Sequence, residues 1–584
     1  MQDSRAPAPV IALALSLAGL LLLVACLWPH DPGTASLLER VSGTVVTARG
    51  PIAGALVQIQ GTAQRTTTGE GGAFCFEGLG ATEPFTVTAW ASGYYVGWAV
   101  VDPHAPKPQG DPGFQITLKP LFTVDNPAYP GFSFEGVNGS ASCGLCHREY
   151  LEWRADAHAQ AATNVRFLTL YEGTDVAGHK GQLSRMGSDG KYLPPDPAQP
   201  YYGPGYKLDN PSRAGNCASC HTPLAAKIPN RLNCGWSGCH TDLTAERSKG
   251  SVDPGVSPLH LTGEAGDGVS CDFCHKIGGV TLDPQTRLPY ADRPGILSMQ
   301  LYRPPGDQQV FFGTLLDVTR RVSYLPLEEE SAFCAPCHFG VFGGVVGDGQ
   351  VTGGTLIYNS YGEWLQSPYS DPETGKTCQD CHMPVLDTNM SVFPEKGGIA
   401  RDYAAFHSHT MPGAADAQLL KAAVSMATTA RHDGDQLKVQ VALTNDKTGH
   451  HIPTDTPLRE MILVVDALDT AGRPLTLSEG PVLPAWLGDE AGQAGKVFAK
   501  VLRDKLSGEM PTAAYWRPVE IVQDTRLAAL ATDITRYTFA LPAGSAAQVR
   551  VRLVFRRANQ DLMRIKGWTD PDIVMQEAVI PVEK

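Results

Sequence analysis

The segment LKVQVALTN alternates: Leu437, Val439, Val441 and Leu443 fall on one side, Lys438, Gln440, Ala442 and Thr444 on the other. QVRVRLVF repeats the pattern, with Val549, Val551, Leu553 and Phe555 on one face. A period of two with one polar face predicts half-buried antiparallel strands. Residues 416–584 therefore read as an all-β, sandwich-like domain. The same signal returns near the other end. ALVQIQG and FTVTAW alternate and TGEGG supplies a turn, so residues 38–120 read as a second all-β sandwich. The stretch DPHAPKPQGDPG, residues 102–113, reads as a loop or stiff linker. Neither period is sustained between the two β regions. The 61 Gly and 45 Pro of the chain favour turns over long helices. The fold class expected is multidomain: two all-β sandwich-like domains flank a central region, residues 121–415, that is partly helical and low in regular secondary structure.

Residues 10–28, VIALALSLAGLLLLVACLW, form an unbroken apolar run preceded by a single basic side chain, Arg5. The run approaches the ~20 residues that span a bilayer. It also suits the apolar part of an export signal. Leu23-Val24-Ala25-Cys26 reads as a lipobox that would make Cys26 a lipidated first residue, whereas the weak basic region and the apolar Leu27 and Trp28 argue for an uncleaved anchor. Both readings of residues 1–30 put the rest of the chain outside the cytoplasm, on the periplasmic or cell-surface side of a membrane.

A length of 584 residues calls for more than one core, and 42% hydrophobic residues fit a globular chain. Lys plus Arg total 47 against 60 Asp plus Glu, a net charge of −13. That balance argues against nucleic acid, which requires a basic face.

The cysteines change the picture most. In an exported protein their even count, 14, would suggest disulfides, but the spacing does not. Cys-x-x-Cys-His occurs at Cys143-Cys146-His147, Cys217-Cys220-His221, Cys271-Cys274-His275, Cys334-Cys337-His338 and Cys378-Cys381-His382. Chance at this composition gives roughly 0.01 such motifs. Two cysteines three apart present both sulfurs to one edge of a porphyrin for thioether bonds, and the next residue reaches under the ring to ligate iron. Zinc ribbons need two cysteine pairs per metal and no histidine after each second cysteine. Local disulfides would leave the histidines unexplained. Covalent haem c is the reading that uses every residue of the motif.

A sixth copy is stretched. In NCGWSGCH, Cys234 and Cys239 have four residues between them, followed by His240. Both sulfurs and the adjacent histidine remain, and two glycines allow the extra residues to bulge. Six covalent haems are therefore expected, using 12 of the 14 cysteines. The other two are Cys26 and Cys75, the latter in the strand-like AFCFEG and read as a small apolar side chain. Six haems within residues 143–382 leave about 40 residues each, too few for an ordinary side-chain core around every cofactor. The macrocycles would themselves be the core.

With His147, His221, His240, His275, His338 and His382 proximal, ten of the 16 histidines remain for the opposite faces. His158 follows the first motif in a segment, EWRADAHAQAATN, that reads as helical. His260 precedes Cys271, His409 lies in HSHTMPG, and His450 and His451 lie in a turn between two strands of the last domain. His179 and His407 are weaker candidates, while His30, His104 and His432 lie far from any motif.

The layout GTVV, PIAGALVQIQG, TTTGEGGAFCFEGL and FTVTAWASGYY resembles a carboxypeptidase-regulatory-like, transthyretin-like β-sandwich. The segments CGLCHREYLEWRADAHAQA, GVSCDFCHKI and YGEWLQSPYSDPETGKTCQDCHMP resemble the multihaem cytochrome c group that includes the tetrahaem partner of hydroxylamine oxidoreductase. GHHIPTDTPLREMILVV resembles the β-domain that closes many exported multihaem cytochromes. The resemblance implies electron transfer, with His158 capping a neighbouring haem. Asp156 departs from the small hydroxyl residue usual at its position. Three functions compete: a membrane-tethered conduit between redox partner proteins or other electron acceptors, a reductase or oxidase of a small nitrogen or sulfur compound, and a subunit of a conductive filament. The first is favoured, since no motif marks a catalytic pocket and the spare histidines suffice to close every site. Oligomeric state is not legible.

Overall fold

A computed structural model describes residues 38–105, 113–126, 129, 131–211, 215–224, 261, 266–306, 308–347, 350–352 and 354–583. The apolar run, the Cys234-Cys239-His240 motif and His260 lie outside the described residues.

The chain has several β-sheet regions and few helices, consistent with β-sandwich domains. Near the N-terminus, the strand Leu38–Thr47 pairs antiparallel with Ala73–Ala81 and parallel with Phe114–Thr117. A second sheet runs Arg65–Thr67, Leu56–Ile59, Phe85–Trp90, Gly97–Val101 in spatial order. Val45 and Ile116 from one sheet and Val57 and Val87 from the other are almost wholly buried in one cluster. Apolar burial of this kind stabilises by about 1.5–3 kcal/mol per large side chain. Cys75 is disulfide-bonded, which corrects its reading as a plain apolar side chain.

The last domain repeats the plan with longer strands. Gln436–Thr444 lies between Ser425–Asp433 and Thr532–Ala540. Glu460–Asp469 lies between Gly495–Phe498 and Ala547–Arg556, which in turn pairs with Ile573–Val582. Leu437, Val439, Val441 and Leu443 meet Val549, Val551, Leu553 and Phe555 in one core, all at or below 2% exposure. The alternation in the sequence is thus the alternation of the pleat.

The middle of the chain is built from short pieces. Its longest described helix, Val165–Glu172, has eight residues. A small apolar cluster does form there: Phe273, Ile277, Ile296, Leu297, Met299 and Leu301 pack beside the half-buried Cys274 and Cys337. So the motifs border a modest side-chain core as well as each other.

Both β regions are tied to the middle. Asp317 accepts from Gly61 N at 2.9 Å and pairs with the buried Arg401 at 2.6 Å. Trp90 Nε1 donates to Ser323 Oγ at 2.9 Å. On the other side, Arg517 pairs with Asp209 at 2.7 Å. Lys566 Nζ, also buried, donates to the carbonyls of Thr169, Thr174 and Pro204 at 2.8–3.0 Å.

Candidate functional site

Each described motif sits at a tight turn or a single helical turn: Ser140–Cys143, Ala218–His221, Cys271–Cys274, Ser331–Phe333 just before Cys334, and Cys378–His382. Local caps fix these turns. Ser270 Oγ accepts from Phe273 N at 3.1 Å. Thr377 and Asp380 form a reciprocal capping box around Cys378. In every case the fifth residue's amide closes on the first cysteine's carbonyl, as from His147 N to Cys143 O at 2.9 Å and from His221 N to Cys217 O at 3.0 Å.

The motifs crowd together. The Cys143 thiol lies beside that of Cys271, Cys220 beside Cys337, and Cys334 beside Cys378, close enough that each pair perturbs the other's ionisation. Cys274 lies close enough to Cys334 and Cys337 to shift both electrostatically. The Cys334–Cys337 motif therefore touches or neighbours three others. Burial pushes the Cys217 and Cys274 thiols up to about 12, while the neighbouring Cys334 thiol holds Cys378 down at about 7.

Histidine rings from distant segments face the proximal ones. His158 lies 6.2 Å from His338 between ring centroids, His409 lies 6.5 Å from His275, and His450 lies 6.3 Å from His382. Two metal–nitrogen bonds of about 2 Å plus the radii of two imidazoles add to roughly 6–6.5 Å. Direct stacking would be much closer, as Phe167 on His221 shows at 3.8 Å.

The other ring nitrogen is held in each case. Nδ1 of His275 donates to Phe312 O at 2.7 Å, His382 to Pro412 O at 2.7 Å, His409 to His407 O at 2.9 Å and His450 to His451 O at 2.8 Å. His221 Nδ1 donates to Ala161 O at 2.9 Å. A carbonyl can only accept, so the proton sits on Nδ1 and Nε2 keeps its lone pair, the arrangement of metal-ligating histidines. His338 and His158 use carboxylates instead: Asp455 Oδ2 at 3.1 Å and Asp156 Oδ1 at 2.7 Å. His104 and His432, remote in sequence, spend Nε2 on the carbonyls of Thr82 and Ser545.

Burial lowers the His382, His409 and His221 imidazoles, favouring the neutral form that binds metal. His338 and His275 go the other way. Burial lowers them, but Asp455 and Glu328 respectively outweigh it and push each up to about 9. Burial raises the Asp455 carboxyl, yet His338 and Arg459 hold it well below the usual range.

The remaining candidates are not brought to such pairs. His147 Nδ1 meets Ser391 Oγ at 3.2 Å, and among the described residues no imidazole faces it or His221 at ligand-pair spacing. His179 is bound to Asp175 at 2.8 Å and stacks on Tyr202. His407 Nδ1 is held by Met383 O at 2.8 Å. His451, next to His450, lies 3.6 Å from Glu363. His158 is not helical as expected: the helix Glu149–Ala155 ends at Asp156, whose extended backbone lets its carboxylate take both the His158 amide, at 2.8 Å, and Nδ1. No sequence signal marks Asp455, Phe312 or Pro412 as holders of Nδ1, because each comes from a segment distant in sequence. Among the described residues no three His, Cys, Asp or Glu side chains converge as a mononuclear metal site would require. The paired rings, held at Nδ1 and open at Nε2 across a gap of iron-ligand width, fit a bis-histidine haem.

Residues 40–110 match the carboxypeptidase regulatory-like domain. No curated protein matches the chain. Among solved structures, a penta-heme cytochrome c552 from Thermochromatium tepidum is similar at 19% identity and a TM-score of 0.46, over 76% of this chain and 98% of that one. A PapD-like domain of human CEP192 aligns at 9% identity and a TM-score of 0.12, over 28% of this chain and 84% of its own.

Proposed function

We propose that the chain is an exported, membrane-tethered hexahaem c-type cytochrome that passes electrons between redox partners. The observation that carries this reading is the set of three opposed imidazole pairs at 6.2, 6.3 and 6.5 Å, each pair including the histidine of a Cys-x-x-Cys-His motif. Haem c, when bound, supplies iron that cycles between ferric and ferrous states.

The chain's own residues do the rest. The cysteine pairs fix position covalently. The Nδ1 hydrogen bonds fix ring orientation and tautomer, so little reorganises when charge changes. At the three motifs with opposed imidazoles, a group held from both sides by histidine would have no position left for substrate, which favours transfer over catalysis there. Thiol proximity between motifs would bring the groups they hold close to one another, and an acidic chain of net charge −13 would steer a basic partner. The apolar run or a lipid on Cys26 would hold the assembly at a membrane.

Intact mass and haem content of the mature protein test the reading. Six covalent tetrapyrroles are expected; fewer than five, or zinc in their place, would sink it. Low-spin signals alone in the electron paramagnetic resonance spectrum fit the conduit. A high-spin ferric signal would favour the reductase or oxidase, and ordered fibres under electron microscopy the filament.

A further inference from the structure

The imidazole pairs differ in what holds them. At the Cys271 and Cys378 motifs the short Nδ1 bonds go to neutral backbone carbonyls. Carboxylates do stand near the Cys271 pair, Glu328 at 3.5 Å from His275 and Glu149 and Glu152 beside His409, but the short Nδ1 bonds there go to Phe312 O and His407 O. At the Cys334 motif both histidines donate to carboxylates, His338 to Asp455 and His158 to Asp156. Asp156 is buried, its side chain 4% exposed, so water screens it little. Asp455 adopts a left-handed backbone, φ 64°, to present its carboxylate. Asp is among the few side chains that tolerate that region, and an outlier beside a candidate site invites a functional reading. Arg459 lies near enough to offset part of the Asp455 charge, but the Asp156 charge faces no comparable cation among the described ion pairs.

We infer that Asp156 and Asp455 are positioning residues that make the group held by Cys334, Cys337, His338 and His158 the lowest in reduction potential of the three with opposed imidazoles. The inference rests on the haem-binding reading above. The physics is direct. A negative charge accepting the Nδ1 proton makes the imidazole a stronger donor and stabilises the more positive, ferric state. Two such charges act on one iron. No bond is made or broken; one electron moves between neighbouring irons. The Cys334 motif contacts the Cys220 and Cys378 thiols and neighbours Cys274, so this site is the junction of the motif network. An electron crossing the junction must then climb in energy, and the two aspartates set the height of that step.

The test is a redox titration of the holoprotein followed optically and by paramagnetic resonance. Asp156→Asn and Asp455→Asn keep an acceptor oxygen and remove the charge. Each is expected to shift the ferric-to-ferrous ratio of the lowest-potential component among those with a bis-imidazole paramagnetic signal about tenfold toward ferrous, an upward move of about 59 mV for a one-electron couple. The double variant should move the same component further. The other components stay put, as should all of them in Asp433→Asn, an exposed carboxylate paired with Lys438. The inference is overturned if the lowest component holds still in Asp156→Asn with haem content and low-spin signals intact, or if a different component moves. Should Asp455→Asn lose haem, Asp156→Asn alone decides. Absence of covalent haem from the wild-type protein would instead end the parent reading, so the two failures are distinguishable.

Discussion

The last β-domain and the central region solve the problem of an interior differently. In the β-domain, Leu437, Val439, Val441 and Leu443 face Val549, Val551, Leu553 and Phe555, and the interior is made of side chains alone. In the centre, paired imidazoles stand 6.2–6.5 Å apart with a gap between them, and the apolar cluster is small. One interior is complete as side chains; the other, on the haem-binding proposal, is a frame for something added. Local periodicity can therefore specify the first but not the second.

That contrast can be broken most severely by withholding the cofactor. Expressed without haem attachment, the chain should lose hydrogen-exchange protection throughout the motif region while the Gln436–Thr444 and Ala547–Arg556 strands keep theirs. Equal loss in both regions would show that the two interiors are not independent. The next largest effect belongs to the side-chain core. Leu553→Ala should cost about 2–5 kcal/mol in denaturant unfolding of the β-domain without altering the haem spectrum.

The tie between the regions comes third. Lys566→Met removes the Lys566 donor from the carbonyls of Thr174 and Pro204, while Thr169 O keeps the Gly173 and Thr174 amides, and should cost about 1–3 kcal/mol, with earlier proteolysis near Thr174 and Pro204. The smallest effect is a pH dependence confined to the β-domain. Burial pushes the Glu460 carboxyl up to about 8 despite Arg556, above the roughly 4.3 of an unfolded chain. The folded state then holds a proton that the unfolded state has released, so stability falls as pH rises from about 4.3 to about 8. Glu460→Gln should flatten that slope in unfolding curves measured at pH 5 and pH 8. An unchanged slope would assign the dependence to other groups.

How much was legible follows the same divide. The period-two runs in residues 437–444 and 548–555 gave strand, face and core directly, because a pleat imposes its period on the chain. The Cys-x-x-Cys-His motifs marked themselves, because all their residues fall within five consecutive positions. The pairing of His158 with His338, or His450 rather than His451 with His382, was not legible, since it depends on loops meeting across 68 to 180 positions. The helix drawn through His158 failed at Asp156. Its propensity pattern was helical, but a carboxylate that can bond its own downstream amide ends the helix there.

The ring pairs also impose a calendar on the growing chain. Synthesis runs from the N-terminus, and each imidazole pair can close only when its later member has appeared. His158 waits for His338, whereas His275 waits for His409 and His382 for His450. A truncation before residue 409 would leave the Cys271 and Cys378 motifs each lacking its partner ring, although every cysteine of both were present. Completing a motif and bringing up its facing ring are thus separate milestones, and the final domain is the one that supplies the last ring.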